Sequence, residues 1–310
     1  MTDGRELYSP ATPEELQEMF GDQKVRYLAN KARGGENGYK GTRYEQFFAA
    51  HRVARLARKL LEDGVDSEVQ WQGDGFVDDV IVRRTAVSDF KAYQLKNAVN
   101  VSWTASSRQI ASDFADQYTL SRHEGFKSVR IRLVCNDEEI RKALSSSVPE
   151  EIADYSKALY FPYSEPYLPL FGQFPWMRED FAYVSNRENA KKTEAEQVAS
   201  VLIGAWCTLA PRAKVSEVLD YARQMSPTII RSLASDDAAA ALLTQEARDV
   251  LDRVEGLTYT VKRGFFAWSD ATGTTTGVLP YDCFSTSFQN FQRRVLEKRP
   301  RSFPEIEEML

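Results

Sequence analysis

Cysteine and histidine are scarce in this chain, with three Cys and two His among 310 residues. Three Cys without paired spacing exclude a disulfide framework and a Cys-based zinc site. His51 and His123 are isolated from each other and read as surface positions, which leaves no His-rich metal centre. No apolar run reaches the 18 or so residues that a membrane helix needs, and the start, Met1-Thr2-Asp3-Gly4-Arg5, lacks the basic-then-apolar pattern of a leader. The expectation is a cytoplasmic, reducing compartment and no membrane partner. A G-x-x-x-x-G-K-S/T phosphate loop, a nucleophile elbow and a glycine-rich dinucleotide turn are also missing. The stretch 272–277 (TGTTTG) has the glycines but no Lys, and reads as a plain loop.

Positive charge is in deficit as well. Forty Lys and Arg face 45 Asp and Glu, a net charge of -5, which excludes a polybasic protein that coats nucleic acid. What remains is an ordinary globular composition, 43% hydrophobic and 27% charged, long enough for two domains. The average hides one asymmetry. From Gln23 to Leu60 there are ten Lys and Arg, among them Lys40, Arg43 and Arg52, against Glu36 and Glu45 alone. A basic block in an acidic chain suits a polyanion-facing surface, and it equally suits a solvated helix face.

Glycines at 34, 35 and 38 predict a loop, and 41–61 a helix with the stripe Phe48, Ala49, Val53, Leu56 and Leu60. Thr42 is its expected N-cap, Glu45 completes a capping box, and Gly64 is its stop. Strands are predicted at 67–72, 76–82 and 89–96, a helix at 107–120, a strand at 128–135 and a helix to 144 capped by Asp137. Four prolines and many aromatics make 161–184 read as an irregular linker packed on a domain. Helices then follow at 194–209, 215–224, from Pro227 (capped by Ser226) and at 242–254, ahead of a hairpin at 257–268 with the basic turn Lys262-Arg263-Gly264. The fold class is α/β, with a C-terminal, mostly helical, winged-helix-like region. Its boundaries fall as a basic arm 1–34, an α/β domain 35–160, a linker 161–188 and the helical region 189–310.

Two consecutive Asp interrupt the run FVDDVIV, where propensity disfavours them and unpaired burial is costly. On the next strand, DFKAYQLK, Gln94 and Lys96 are two apart and share a face. A carboxylate, an amide oxygen and an ammonium would then meet at one sheet edge, a donor set for Mg²⁺ (or Mn²⁺) beside a phosphodiester. A solvated strand pair with a Lys–Asp contact explains the same residues, as the capping box explains Glu45.

An acid on the first helix, Asp79 on one strand and Q-x-K on the next, in the order α-β-β-β-α-β, resembles the PD-(D/E)xK (restriction-endonuclease-like) superfamily. More narrowly, GTRYEQFFAAHRVARLARKLL, GFVDDVIV and DFKAYQLKN are similar to the N-terminal endonuclease domain of bacterial anti-phage effectors, including cyclic-oligonucleotide-signalled, Lamassu-type and HerA-associated nucleases. The likeness covers about residues 35–145. It implies a metal-dependent endonuclease acting on double-stranded DNA. Asp79, Glu45 and Gln94 would be the ligands and Lys96 the catalytic lysine; Asp78 replaces Asp79 if the register slips by one. Gln94 stands where the superfamily more often has Asp or Glu. Lys40, Arg43, Arg52, Arg231, Lys262 and Arg263 are candidate DNA contacts. Lacking an ATPase motif, the chain would rely on a partner ATPase or sensor protein, or on homo-oligomerisation, for gating. The alternative is a non-catalytic nucleic-acid-binding or assembly subunit that keeps the fold.

Overall fold

The computed structural model describes residues 13–97, 100–104, 109–262 and 264–310; from 13 to 37 only the course of the backbone is considered. Two compact units emerge, Met1–Tyr44 and Glu45–Leu310. Helix α1 (Pro13–Asp63) is continuous, so neither the loop expected at 34–38 nor the N-cap expected at Thr42 exists. A glycine inside a helix costs about 1 kcal/mol relative to alanine but removes no hydrogen bond, and extending a formed helix adds one bond per residue. The glycines weaken this stretch without ending it. Gly64 does end it: its φ is +67° and its N–H returns to the Leu60 carbonyl at 3.1 Å.

The next elements follow the expected order. They are β1 (Glu68–Trp71), β2 (Val80–Arg84), β3 (Asp89–Lys96), α2 (Ile110–His123), β4 (Ser128–Cys135) and α3 (Glu138–Ser146). The side chain of Asp137 caps α3 as expected, while the expected start of α2 at Ser107 lies outside the described residues. Strand β2 begins four residues later than its apolar run. The carbonyls of Asp78 and Asp79 accept from Gly73 and Gln72 (2.9 and 3.3 Å), which ties both acids into the hairpin loop.

Strand β5 (Ser156–Tyr160) was not anticipated, nor were helices in the expected linker. There, α4 (Leu168–Gln173) and α5 (Pro175–Val184) each carry a proline in the first turn, where its missing N–H has no partner to lose. Several of the aromatics are core: Phe47 stacks on Tyr167 with ring centres 4.4 Å apart, and Phe171 and Phe181 are fully buried, whereas Trp176 is exposed. Next come α6 (Lys192–Leu209), β6 (Arg212–Lys214) and α7 (Val215–Met225).

The main sheet has the order β5-β4-β3-β2-β1-β6. β3, β4 and β5 are parallel; β3 with β2, β2 with β1 and β1 with β6 are antiparallel. β6 lies beyond the expected linker, so the sheet spans it. One face of the sheet buries Ile81, Phe90, Ala92, Ile131 and Leu133 with Phe114 of α2; on the other, Phe48 of α1 meets Tyr93 edge-on at 5.0 Å.

The helix expected from Pro227 does not form. Ile229 and Ile230 bond back to Ser226 for a single turn, and the chain then bridges from Ile230 to Ser185. Ser235 caps α8 (Asp236–Ala240), and Thr244 caps α9 (Gln245–Leu251), shorter than expected. The expected hairpin is present as β7 (Leu257–Lys262) and β8 (Phe265–Asp270). β9 (Thr276–Asp282) extends it to a three-stranded antiparallel sheet, backed by α10 (Thr286–Lys298) and α11 (Phe303–Glu307). Phe266, Phe288, Phe291 and Val295 fill this second core. Among the described residues, no helix is long and apolar enough to cross a membrane.

Candidate active site

The hairpin loop from β1 to β2 delivers Asp79 to the edge of Gln94. Val80 pairs with Tyr93 and Ile81 with Ala92, which sets Asp79 opposite Gln94 on the next step of the ladder. The contact is direct: Gln94 Nε2 donates to Asp79 Oδ2 at 2.5 Å, and the Leu95 N–H donates to the same oxygen at 2.6 Å. Asp79 is only 7% exposed. Burial pushes its carboxyl up to about 6; the Leu95 N–H and Lys96 oppose the shift, and the charges of Glu45 and Asp78 add to it. Of the two acids in the doublet, Asp79 is therefore the one held against Gln94.

Glu45 reaches the same place from α1. With no helix start at Thr42 it caps nothing; its Oε2 accepts from Trp71 Nε1 at 2.8 Å and Gln72 Nε2 at 3.0 Å. Lys96 lies within Coulombic reach of Asp79, yet its ammonium makes no ion pair or hydrogen bond among the described residues. Glu45, Asp79, Gln94 and Lys96 are thus gathered as the sequence suggests.

Among the described residues no three His, Cys, Asp or Glu side chains gather around one metal position. The donor set here is two carboxylates and one amide. Asp79 and Glu45 each accept through one oxygen, and among the described residues Oδ1 and Oε1 have no donor. Their mutual repulsion raises Asp79. Two like charges with free oxygens are an arrangement that a hard cation relieves. Gln94 would join it by turning its amide over to present Oε1.

Sequence reasoning missed Gln117. This buried side chain of α2 accepts from the N–H groups of Phe76 and Val77 (2.9 and 3.2 Å) and donates to Ser121 Oγ at 3.1 Å. It clamps the loop that carries Asp79. Gly75 permits the approach, because a Cβ there would lie 2.5 Å from Gln117 Oε1. A polar residue on the apolar face Ile110–Phe114–Gln117–Ser121 was the available signal.

The candidate DNA contacts differ in their surroundings. Arg52 lies over the rings of Phe48 and Tyr93, 5.9 and 5.2 Å from their centres. Arg231 is buried over Tyr183 and Phe265, so it offers no exposed guanidinium. In the first unit, Lys40 is exposed and Arg43 stacks on Tyr39, with a 3.0 Å bond to its hydroxyl. Lys262 is exposed at the end of β7, and Arg263 lies outside the described residues. His51 is not at the surface: it is buried beside Asp180 (3.1 Å), and burial pushes its pKa down to about 4.

Comparison with protein-family models, with curated proteins and with solved structures finds no match for this chain.

Proposed function

We propose that the chain is a metal-dependent DNA endonuclease with a PD-(D/E)xK-type site, acting in bacterial anti-phage defence in the cytoplasm. One observation carries the reading. A buried, charge-strained Asp79 sits against Gln94 at the edge of the β2–β3 pair, with Glu45 and Lys96 in Coulombic reach. The order α1-β1-β2-β3-α2-β4 around it agrees with that superfamily's core.

Asp79 and Glu45 would hold Mg²⁺ (or Mn²⁺), with Gln94 as a neutral third donor. The cation would supply Lewis acidity toward the phosphodiester and the attacking water. Asp79 must first lose its proton, which its raised pKa delays until the pH passes about 6. Lys96, without an ion-pair partner among the described residues, is free to face the charge that develops on the scissile phosphate. Double-stranded DNA is the substrate of this reading. A partner ATPase or sensor protein, or self-association, supplies the gate.

The second reading, an assembly subunit without catalysis, is favoured by one detail: Gln94 now donates to Asp79 and so occupies an oxygen a metal would use. Plasmid cleavage with Mg²⁺, and with EDTA, for wild type, Asp79→Ala and Lys96→Ala separates the two. We expect EDTA to abolish cleavage and each substitution to lower it by ~100-fold or more. Undiminished cleavage by both variants would overturn the assignment. A wild-type chain that neither cleaves nor takes up Mg²⁺ or Mn²⁺ in calorimetry supports the second reading.

A further inference from the structure

The sheet face that Phe48 meets at Tyr93 carries a surplus of positive charge beside that contact. Register fixes its layout. Arg84, Asp89 and Ser128 form one cross-strand row, Lys91 and Arg130 the next, and Tyr93, Arg132 and Lys157 a third. Paired residues on neighbouring strands share a face, so Gln94 and Lys96 lie on the opposite one. Arg52 of α1 joins these rows from the helix, its guanidinium 5.2 Å from the Tyr93 ring centre and within Coulombic reach of Lys91. Neighbouring strands are about 4.8 Å apart and successive rows about 6.6 Å, which makes this a compact patch. It owes nothing to the nuclease reading.

One carboxylate serves the whole group. Asp89, 3% exposed, accepts from Arg84 and from Ser128 Oγ (both 2.9 Å) and from Arg130, with the Lys91 ammonium 3.6 Å away. Arg132 donates to the carbonyls of Ile131 and Tyr155. Arg52 and Lys157 have neither an ion pair nor a hydrogen bond among the described residues. Six cations and one carboxylate leave a surplus of five.

Two further observations show that the chain does not balance this charge itself. Register sets Lys91 opposite Arg130 and Arg132 opposite Lys157, and like charges so placed destabilise a strand pair. The Nε–H groups of Arg52 and Arg130 are buried without an acceptor among the described residues, which is costly for a charged donor. Burial and the charges of Arg130, Arg52 and Arg84 also push Lys91 down to about 8, against the pull of Asp89. The depth of the groups limits what can reach them. The Arg84 and Lys91 side chains are 15% and 18% exposed, too recessed for a stiff duplex backbone, while Arg130 and Lys157 stand at the rim. A small anion of high charge can touch both levels, and phosphoryl oxygens match the guanidinium fork.

We propose that this face binds a compact oligophosphate, a run of two or three phosphoryl groups either free or carried by a nucleotide. Arg52, Arg130 and Arg132 would grip the phosphoryl oxygens, with Lys157 closing the open edge of the sheet.

The test is calorimetry on the full chain, without added metal, using inorganic triphosphate, ATP, orthophosphate and adenosine as probes. Triphosphate and ATP should bind and compete with each other, orthophosphate should bind about tenfold or more weaker, and adenosine should not bind at comparable concentration. Arg52→Gln and Lys157→Glu should each weaken triphosphate by about tenfold or more, through a lost or reversed charge-assisted contact. Lys157 is exposed on the edge strand, so its substitution keeps the test readable if Arg52→Gln folds poorly. Lys298→Glu, the same charge change on α10 behind the other sheet, should leave the affinity unchanged. No heat from triphosphate at millimolar concentration would overturn the proposal. So would orthophosphate or adenosine binding as tightly as triphosphate, an equal loss in Lys298→Glu, or binding that survives Lys157→Glu and Arg52→Gln. A short DNA duplex that binds more tightly than triphosphate, and loses that binding in Lys157→Glu, would give the face to nucleic acid instead.

Discussion

At the scale of single residues, Asp79 stores destabilisation in order to be useful. Its carboxyl titrates near 3.8 in the unfolded chain and about 6 in the folded one, so the folded state holds the proton more tightly. The stabilisation from this group is complete below about pH 4 and is lost as the pH rises through 6. A shift of this size corresponds to about 3 kcal/mol at neutral pH and above. Asp79→Asn is expected to be more stable than wild type at pH 8 by up to that amount, and to match it at pH 4. Urea midpoints at the two pH values test this, and a gap independent of pH would refute it. Saturating Mg²⁺ at pH 8 should raise the wild-type midpoint and leave Asp79→Asn unmoved. Glu45 shows the converse lesson. Its spacing from Thr42 matched a capping box, but its partners are Trp71 and Gln72, which lie on a hairpin 26 and 27 residues away.

At the scale of elements, the loop before β2 decides whether the site is formed. Gln117 is the acceptor for two of its amides. Gln117→Ala leaves both unpaired, at a cost of about 1–3 kcal/mol, and should weaken Mg²⁺ binding at fixed pH. Gln117→Glu keeps an acceptor oxygen and should restore most of the affinity. Equal Mg²⁺ affinity in wild type and Gln117→Ala would remove Gln117 from the positioning role. Much at this scale was legible from local pattern. Alternation placed Gln94 and Lys96 on one face, and β3 and β4 matched their apolar runs residue for residue. What misled the reading was punctuation. Glycines at 34–41 read as a break, but a helix already under way continues through them. Prolines at 169 and 175 read as irregular chain, but they occupy first turns. Ser226-Pro227 has the chemistry of a helix start, yet bonds from Arg231 to Val184 and from Asn186 to Ile229 draw the segment into an extended bridge. Long-range partners, which no local window contains, decided these cases.

At the scale of the whole molecule, β6, like β5, is a member of the sheet that no local signal announced. Its three residues pair with β1, the strand that carries Trp71, the partner of Glu45. The Trp71 N–H reaches the Pro211 carbonyl at 2.7 Å, and the Val215 N–H reaches Ser67 at 2.8 Å. A fragment ending at residue 188 would expose that edge and uncover the sides of α4 and α5 on which α6 packs. We expect it to be poorly soluble and to lack the cooperative thermal transition of the full chain, as circular dichroism on heating would reveal. A cooperative, soluble fragment would mean that the sheet does not need β6.

The β1–β6 pairing also sets a clock. During synthesis the proposed catalytic set is complete in sequence once Lys96 is made, and β4 by Cys135, yet β1 waits for Lys214 to cover its open edge. At ordinary elongation rates that interval is of order ten seconds. A ribosome-bound chain would therefore carry every residue of the proposed catalytic set well before the strand that covers the edge of β1 has been made.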